Sequence, residues 1–343
     1  MMNGKRINLI GDRRINLFLI CFLFGLSDCK SQKEFGNEYL TLEKVIPLAG
    51  VKGRIDHLAY NKDRQVIYVA ALGNNTLEIV DLTGGKVIHS IKGLDEPQGV
   101  EYLSYSNSIF VANGGTGVCN FFDANTFQPL TSLNFKDDAD DVRYLPGDKT
   151  VFVGYGDGGI GIINEETRKE TGRITLSGHP EGFQVDPKTE KIWVNIPNAH
   201  MIEVLDGKEL KLLDQWKIND LDANFPMAYD SVHHRLFVGF RSPPRLVVFD
   251  SESGKRIASL ACTGDTDDLF YDADKKRIVV SGGAGNIDIF QQITEDSYSA
   301  IAHIYTRNGA RTSLFIPSLQ KFVLAVPRAN GKQAELRIYE IAK

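Results

Sequence analysis

Between Arg54 and Ser90 short apolar runs alternate with polar turns at a close, regular spacing. A polar cluster, Arg54-Ile55-Asp56-His57, leads into Leu58-Ala59-Tyr60, and Asn61-Lys62-Asp63 then turns the chain. Val66-Ile67-Tyr68-Val69-Ala70 is a β-branched and aromatic run, followed by a turn at Gly73-Asn74-Asn75. Thr76 to Val80 alternates with period two, Asp81 to Gly85 turns again, and Lys86-Val87-Ile88 leads out. Four strands and three turns in so short a stretch predict an antiparallel meander. One meander is too thin to bury both of its faces, so it requires neighbours.

The rest of the chain supplies them. The second-strand run recurs with Phe110, Phe152, Trp193, Phe237, Val279 and Val323 in the place of Tyr68, at steps of 42, 42, 41, 44, 42 and 44 residues. A four-stranded unit at this period predicts an all-β chain folded as a seven-bladed β-propeller of antiparallel blades. The third strands end in Asp81, Asp123, Asn164, Asp206 and Asp250, which read as turn formers. The seventh unit holds three strands only. An unpartnered strand at 39–48 is expected to complete it, closing the ring and covering an open edge.

Tyr68 to Asp81, YVAALGNNTLEIVD, resembles the bacterial YVTN-type (YncE-like) propeller repeat, and the resemblance covers nearly all of the chain after about residue 39. It implies the fold. It implies little about activity, because relatives with this repeat include surface-layer and periplasmic proteins, and the seven-bladed phosphogluconolactonases are similar in architecture. The Gly-His and Trp-Asp pattern of WD40 repeats is missing.

Ahead of the repeats, Lys5, Arg6, Arg13 and Arg14 precede the apolar run Ile15–Leu26, as in a secretory leader. The run is too short to span a bilayer, which takes about 20 residues. Leu26-Ser27-Asp28-Cys29 resembles a lipobox, although Asp28 departs from the small residue usual there. The expected organisation is a signal peptide over 1–28, a polar tether over 29–38 and the propeller over 39–343. Cys29 would be the lipidation site, and the location the periplasmic or cell-surface side of a bacterial envelope. Cys119 and Cys262 lie three blades apart and are expected as unpaired, buried thiols.

Loss of residues 1–28 removes four basic and two acidic residues and moves the net charge from −5 to −7. An acidic chain without a basic run is a poor nucleic-acid binder. A monomer is expected, with an unknown small molecule or an envelope protein as partner and the membrane reached through lipid.

In a four-stranded blade the d–a junctions and the b–c loops share one face. Twelve residues before each second-strand anchor lie Asp56, Gln98, Asp140, Glu181, Phe225, Asp267 and Arg311; two places earlier lie Arg54, Glu96, Asp138, His179 and Asp265. His57, Asp141 and Asp268 come one place later. Arg54, Asp56, His57, Glu96, Gln98, Asp140, His179, Glu181, Asp267 and Arg311 are therefore the candidate ligand-binding residues of a central funnel. Crowded carboxylates either hold a cation or have raised pKa values. Asp56, Asp140, Glu181 and Asp267 are the candidate metal ligands, and an all-oxygen set favours calcium. The expected function is binding at the funnel. The alternative is a metal-assisted hydrolase or lactonase with His57 or His179 moving protons. No catalytic nucleophile stands out. The acids could equally be solvated turn residues paired with Arg54 and Arg311. Asn74, Asp157, His200, Arg241 and Arg328 of the b–c loops face the same side, and the glycine-rich loops there read as turns.

Overall fold

The structure, a computed structural model, describes residues 34–342. The leader, Cys21 and the proposed lipid site at Cys29 lie outside the described residues. The remainder forms seven four-stranded antiparallel sheets, six of them built from consecutive strands. The seventh has the order Leu40–Pro47, Glu335–Ile341, Lys321–Val326, Ser313–Ile316, so the first strand of the chain is the outer strand of the last blade. Leu40 pairs with Ile341 and Pro47 with Glu335, with a register shift between Leu42 and Lys44. The ring closes by hydrogen bonding between the two ends of the repeat array.

Burial within a blade follows the strand order. The second strand of blade one, Val66–Ala71, is buried along its whole length because both of its faces meet neighbouring blades. The outer strands, Pro129–Asn134 or Lys211–Lys217 for example, are largely exposed. The apolar interior accordingly divides into wedges, one at each seam between adjacent blades. The seven period-defining residues, Tyr68 to Val323, all sit in these seams and are at most 3% exposed. Three of them pack at a tilt against the tyrosine that the next blade presents: Tyr68 on Tyr102, Trp193 on Tyr229 and Phe237 on Tyr271, at centroid distances of 6.3, 4.6 and 5.0 Å. Repetition of one aromatic position thus repeats one inter-blade contact.

The residues that end the third strands act as the sequence suggests. Asp81 accepts from the Gly84 amide, Asp123 from Asn125 and Thr126, Asn164 from Thr167, Asp206 from Lys208 and Glu209, and Asp250 from Glu252 and Ser253. Asp230 similarly accepts from Val232 and His233 and bonds the His233 ring at 2.7 Å, which gives that histidine a structural role. Cys119 and Cys262 are unpaired; Cys119 is buried, whereas Cys262 is partly exposed. Part of the expected tether is docked. Phe35 exchanges two backbone hydrogen bonds with His303 on the outer strand of blade six, at 3.1 and 2.9 Å.

One local irregularity positions the site. At the start of the innermost strand, two residues oppose one on the neighbouring strand. Register shifts record this between Pro97 and Val100, Ala139 and Val142, Asn224 and Met227, and Thr266 and Asp268. In blade one, Asp56 N–H donates to Ala70 O while Ala70 N–H donates to His57 O; Glu181 and Gly182 bracket Asn195 in the same way. Such a bulge re-aims side chains, so successive residues no longer alternate strictly between faces.

Candidate functional site

The inner strands of all seven blades line a central cavity of about 350 Å³. A second space of about 420 Å³ opens on the loop side above blades one to five, and the two meet at Arg54, Asp140, Glu181 and Phe225. Together they form a mouth, a charged constriction and a chamber. The chamber walls combine the apolar Leu58, Val100, Val142, Met227, Leu269 and Phe315 with the polar Glu101, Arg143 and Gln184.

Six of the sequence-predicted residues, Arg54, Asp56, His57, Asp140, Glu181 and Asp267, converge on the chamber. Gln98 and His179 line the mouth, where Gln98 donates to Asp138 at 2.9 Å and the His179 ring meets Gly156 O at 2.7 Å. Arg311 stands beside them, paired with Asp265 at 3.0 Å. Glu96 lines neither space. It has a positive φ of 50°, and its amide donates a hydrogen bond to Asn75 Oδ1. Asp138, Ala223 and Asp265, at the equivalent position of other blades, share that left-handed conformation, so this position serves the turn.

The constriction has two unlike sides. On one, Arg241 bonds Asp267 and lies 3.7 Å from Asp265, and its guanidinium covers the Phe225 ring at 3.5 Å. Arg311 reaches Asp265 and Asp267, and Arg54 lies 3.8 Å from Asp267. Those arginines are engaged by carboxylates. On the other side stand Asp56, His57, Asp140 and Glu181. His57 Nε2 lies 3.6 Å from Asp56 Oδ1 and 3.9 Å from Asp140 Oδ1, and Nδ1 faces Asp268 Oδ1 at 3.6 Å. Arg54 approaches Asp56 Oδ2 to 2.7 Å without the alignment of a hydrogen bond. Asp56 Oδ2, Asp140 Oδ1 and Asp267 Oδ2 are all buried without a hydrogen-bond partner.

Positive charge is short here, and the titration behaviour reflects it. Burial, then the charges of Asp56 and Glu181, raise the Asp140 pKa well above the ordinary carboxylate range. Burial and the Asp267 charge lift Glu181 to about 8, and burial raises Asp56 as well. For His57 burial acts downward, but Asp268, Asp56 and Asp141 outweigh it and lift the imidazole well above its usual value. Deeper in the wall, burial pushes Glu101 to about 7. An arrangement of this kind can hold a cation or the protonated group of a ligand.

Asp141 and Asp268, grouped with His57 by sequence position, also join blades. Asp141 Oδ2 accepts from Phe183 N–H at 3.3 Å, and Asp268 Oδ2 from Ser313 N–H at 2.5 Å. At the same position in blade seven, Thr312 donates to Ile55 O at 3.1 Å across the closure. Sequence reasoning undervalued Arg241, which it placed among peripheral loop contacts, and did not single out Glu101 or Arg143. The bulge, invisible in a hydropathy pattern, determines which of these face the channel. Of the remaining loop residues, Asp157 lines the mouth, Asn74 bonds Thr76, and His200 pairs with Asp222 in an exposed position.

No family model matches the chain, and no curated protein sequence matches it. Solved structures do. A chain of the mitotic checkpoint complex superposes with a TM-score of 0.75 at 13% identity over 100% of both chains. A chain of Kuenenia stuttgartiensis hydrazine synthase superposes with a TM-score of 0.71 at 14% identity, over 82% of this chain and 95% of that one. Likeness at this identity establishes the β-propeller fold and leaves function to the site.

Proposed function

We propose that the chain is a binding protein that takes the positively charged group of a small molecule at the channel constriction and rests its apolar remainder in the chamber. The observation that carries this reading is Asp140 Oδ1, buried without a hydrogen-bond donor, whereas Asp56 Oδ2 and Asp267 Oδ2 have Arg54 within 2.7 and 3.8 Å. A buried acceptor left unpaired costs about 1–3 kcal/mol, more when charged, and a cationic ligand removes that cost. The arginines that would attract an anion are already paired. A chamber of about 350 Å³ is in the range of small-molecule sites.

Calorimetry with a panel of amines and guanidines tests it. At least one should bind the wild type, and Asp140→Asn should weaken that ligand at least about tenfold while leaving the fold unchanged. Equal affinity in the variant, or no binding across the panel, removes the reading.

The metal-assisted hydrolase or lactonase is the second reading, favoured by the proximity of Asp56, His57 and Asp140. Kinship with the YVTN-type repeat, export, the envelope location and lipid on Cys29 belong to the proposal too, and rest on the sequence motifs alone. Labelled fatty acid should mark the wild type; label persisting on Cys29→Ala would eliminate the anchor.

A further inference from the structure

His57 is held between two sets of carboxylates. Asp268, itself fixed by the Ser313 amide at 2.5 Å, lies 3.6 Å from Nδ1, while Nε2 faces Asp56 and Asp140. Separations of 3.6 and 3.9 Å from Nε2 to the two Oδ1 atoms are too long for hydrogen bonds. They suit atoms that share one ion: two ligands each about 2.0–2.2 Å from a metal lie at most about 4.4 Å apart. A carboxylate behind the distal nitrogen of a ligating histidine is the usual means of orienting it. An independent sign of a missing cation is the lack of any donor for Asp140 Oδ1, an atom 3.9 Å from Nε2 on a residue only 9% exposed. Asp56 is 1% exposed, and Arg54 lies 2.7 Å from its Oδ2, which leaves Oδ1 for an ion.

We propose that Asp56, His57 and Asp140 bind a first-row divalent transition-metal ion of the zinc type, through two aspartate oxygens and His57 Nε2, with its open coordination positions facing the chamber. This deepens the reading of the constriction as a cation site and rests on it. The imidazole decides the class of ion. Calcium takes 6–8 oxygen ligands, whereas one nitrogen and two carboxylates suit zinc and its neighbours. His57 thus enters the expected set, while Glu181 and Asp267 leave it, the Asp267 carboxylate serving Arg241 and Arg311. A metal there would also give a bound small molecule a Lewis acid to coordinate.

The test uses tag-free full-length protein, stripped with a chelator and titrated with zinc, cobalt and calcium by calorimetry and metal analysis. One equivalent of zinc per chain is expected, with a higher Tm, and cobalt should develop the visible absorption of a low-symmetry site. His57→Gln and Asp140→Asn should abolish the equivalent while circular dichroism stays native. Asp268→Asn, which keeps an oxygen for the Ser313 amide but alters the group facing His57 Nδ1, should weaken zinc about 10- to 100-fold. Absence of a stoichiometric zinc ion, calcium bound in preference to zinc, or unchanged zinc binding in His57→Gln overturns the proposal. The amine titration run in parallel separates the two levels. Amine binding without zinc binding removes the metal site and keeps the constriction as a cation site, whereas failure of both removes both.

Discussion

Single side chains at the constriction make the folded state sensitive to pH. Glu181 titrates near 8 in the fold, raised by burial and the Asp267 charge, and at about 4.5 when the chain is unfolded. Between those values the folded state holds a proton that the unfolded state has released, so stability falls as pH rises and levels off above about 8. Chemical denaturation from pH 5 to 9 should show this slope in the wild type, and Glu181→Gln should flatten it; an unchanged slope would assign the effect elsewhere. Partial exposure of Glu181 lets solvent screen the effect, so the change per pH unit should fall below the limiting value of about 1.4 kcal/mol. Glu181 was legible from the sequence because strand pairing is regular. Stepping back twelve residues from a buried anchor reaches the same corner of each blade, and Asp56, Asp140 and Asp267 were found by the same step. The arginine that occupies Asp267 was not. Arg241 comes from the far end of a second strand, and nothing in its own neighbourhood reveals how far a guanidinium reaches across the channel.

At the scale of the strand, the bulge does what hydropathy could not forecast. It lets Asp140 turn toward the constriction while Asp141 fastens blade three to blade four. Room for it comes from Gly99 on the adjoining inner strand, where a Cβ would lie 2.0 Å from the Asp140 carbonyl oxygen. Gly99→Ala should therefore cost about 1–3 kcal/mol through overpacking and weaken cation binding through displaced Asp140. Denaturation and calorimetry on one preparation check both parts; native affinity would mean that Asp140 tolerates the shift. The strands themselves were read correctly in number and order, since aromatic and β-branched runs between turn residues leave little alternative. Their lengths were underestimated for the outer strands, such as Lys86–Lys92, whose exposed residues carry no apolar signal.

For the whole molecule, closure was foreseeable by counting: six complete units, one short unit and one spare strand. The docking of Phe35 on blade six was not, because a single bridge in a polar stretch leaves no period to detect. The closing pair has a mechanical consequence. Leu40 lies opposite Ile341, so the two ends of the propeller leave the seam side by side. A force drawing them apart would break the backbone bonds one after another from that end, as a zipper opens, instead of loading the whole row together. The two bonds between Phe35 and His303 precede that seam and would meet the strain first.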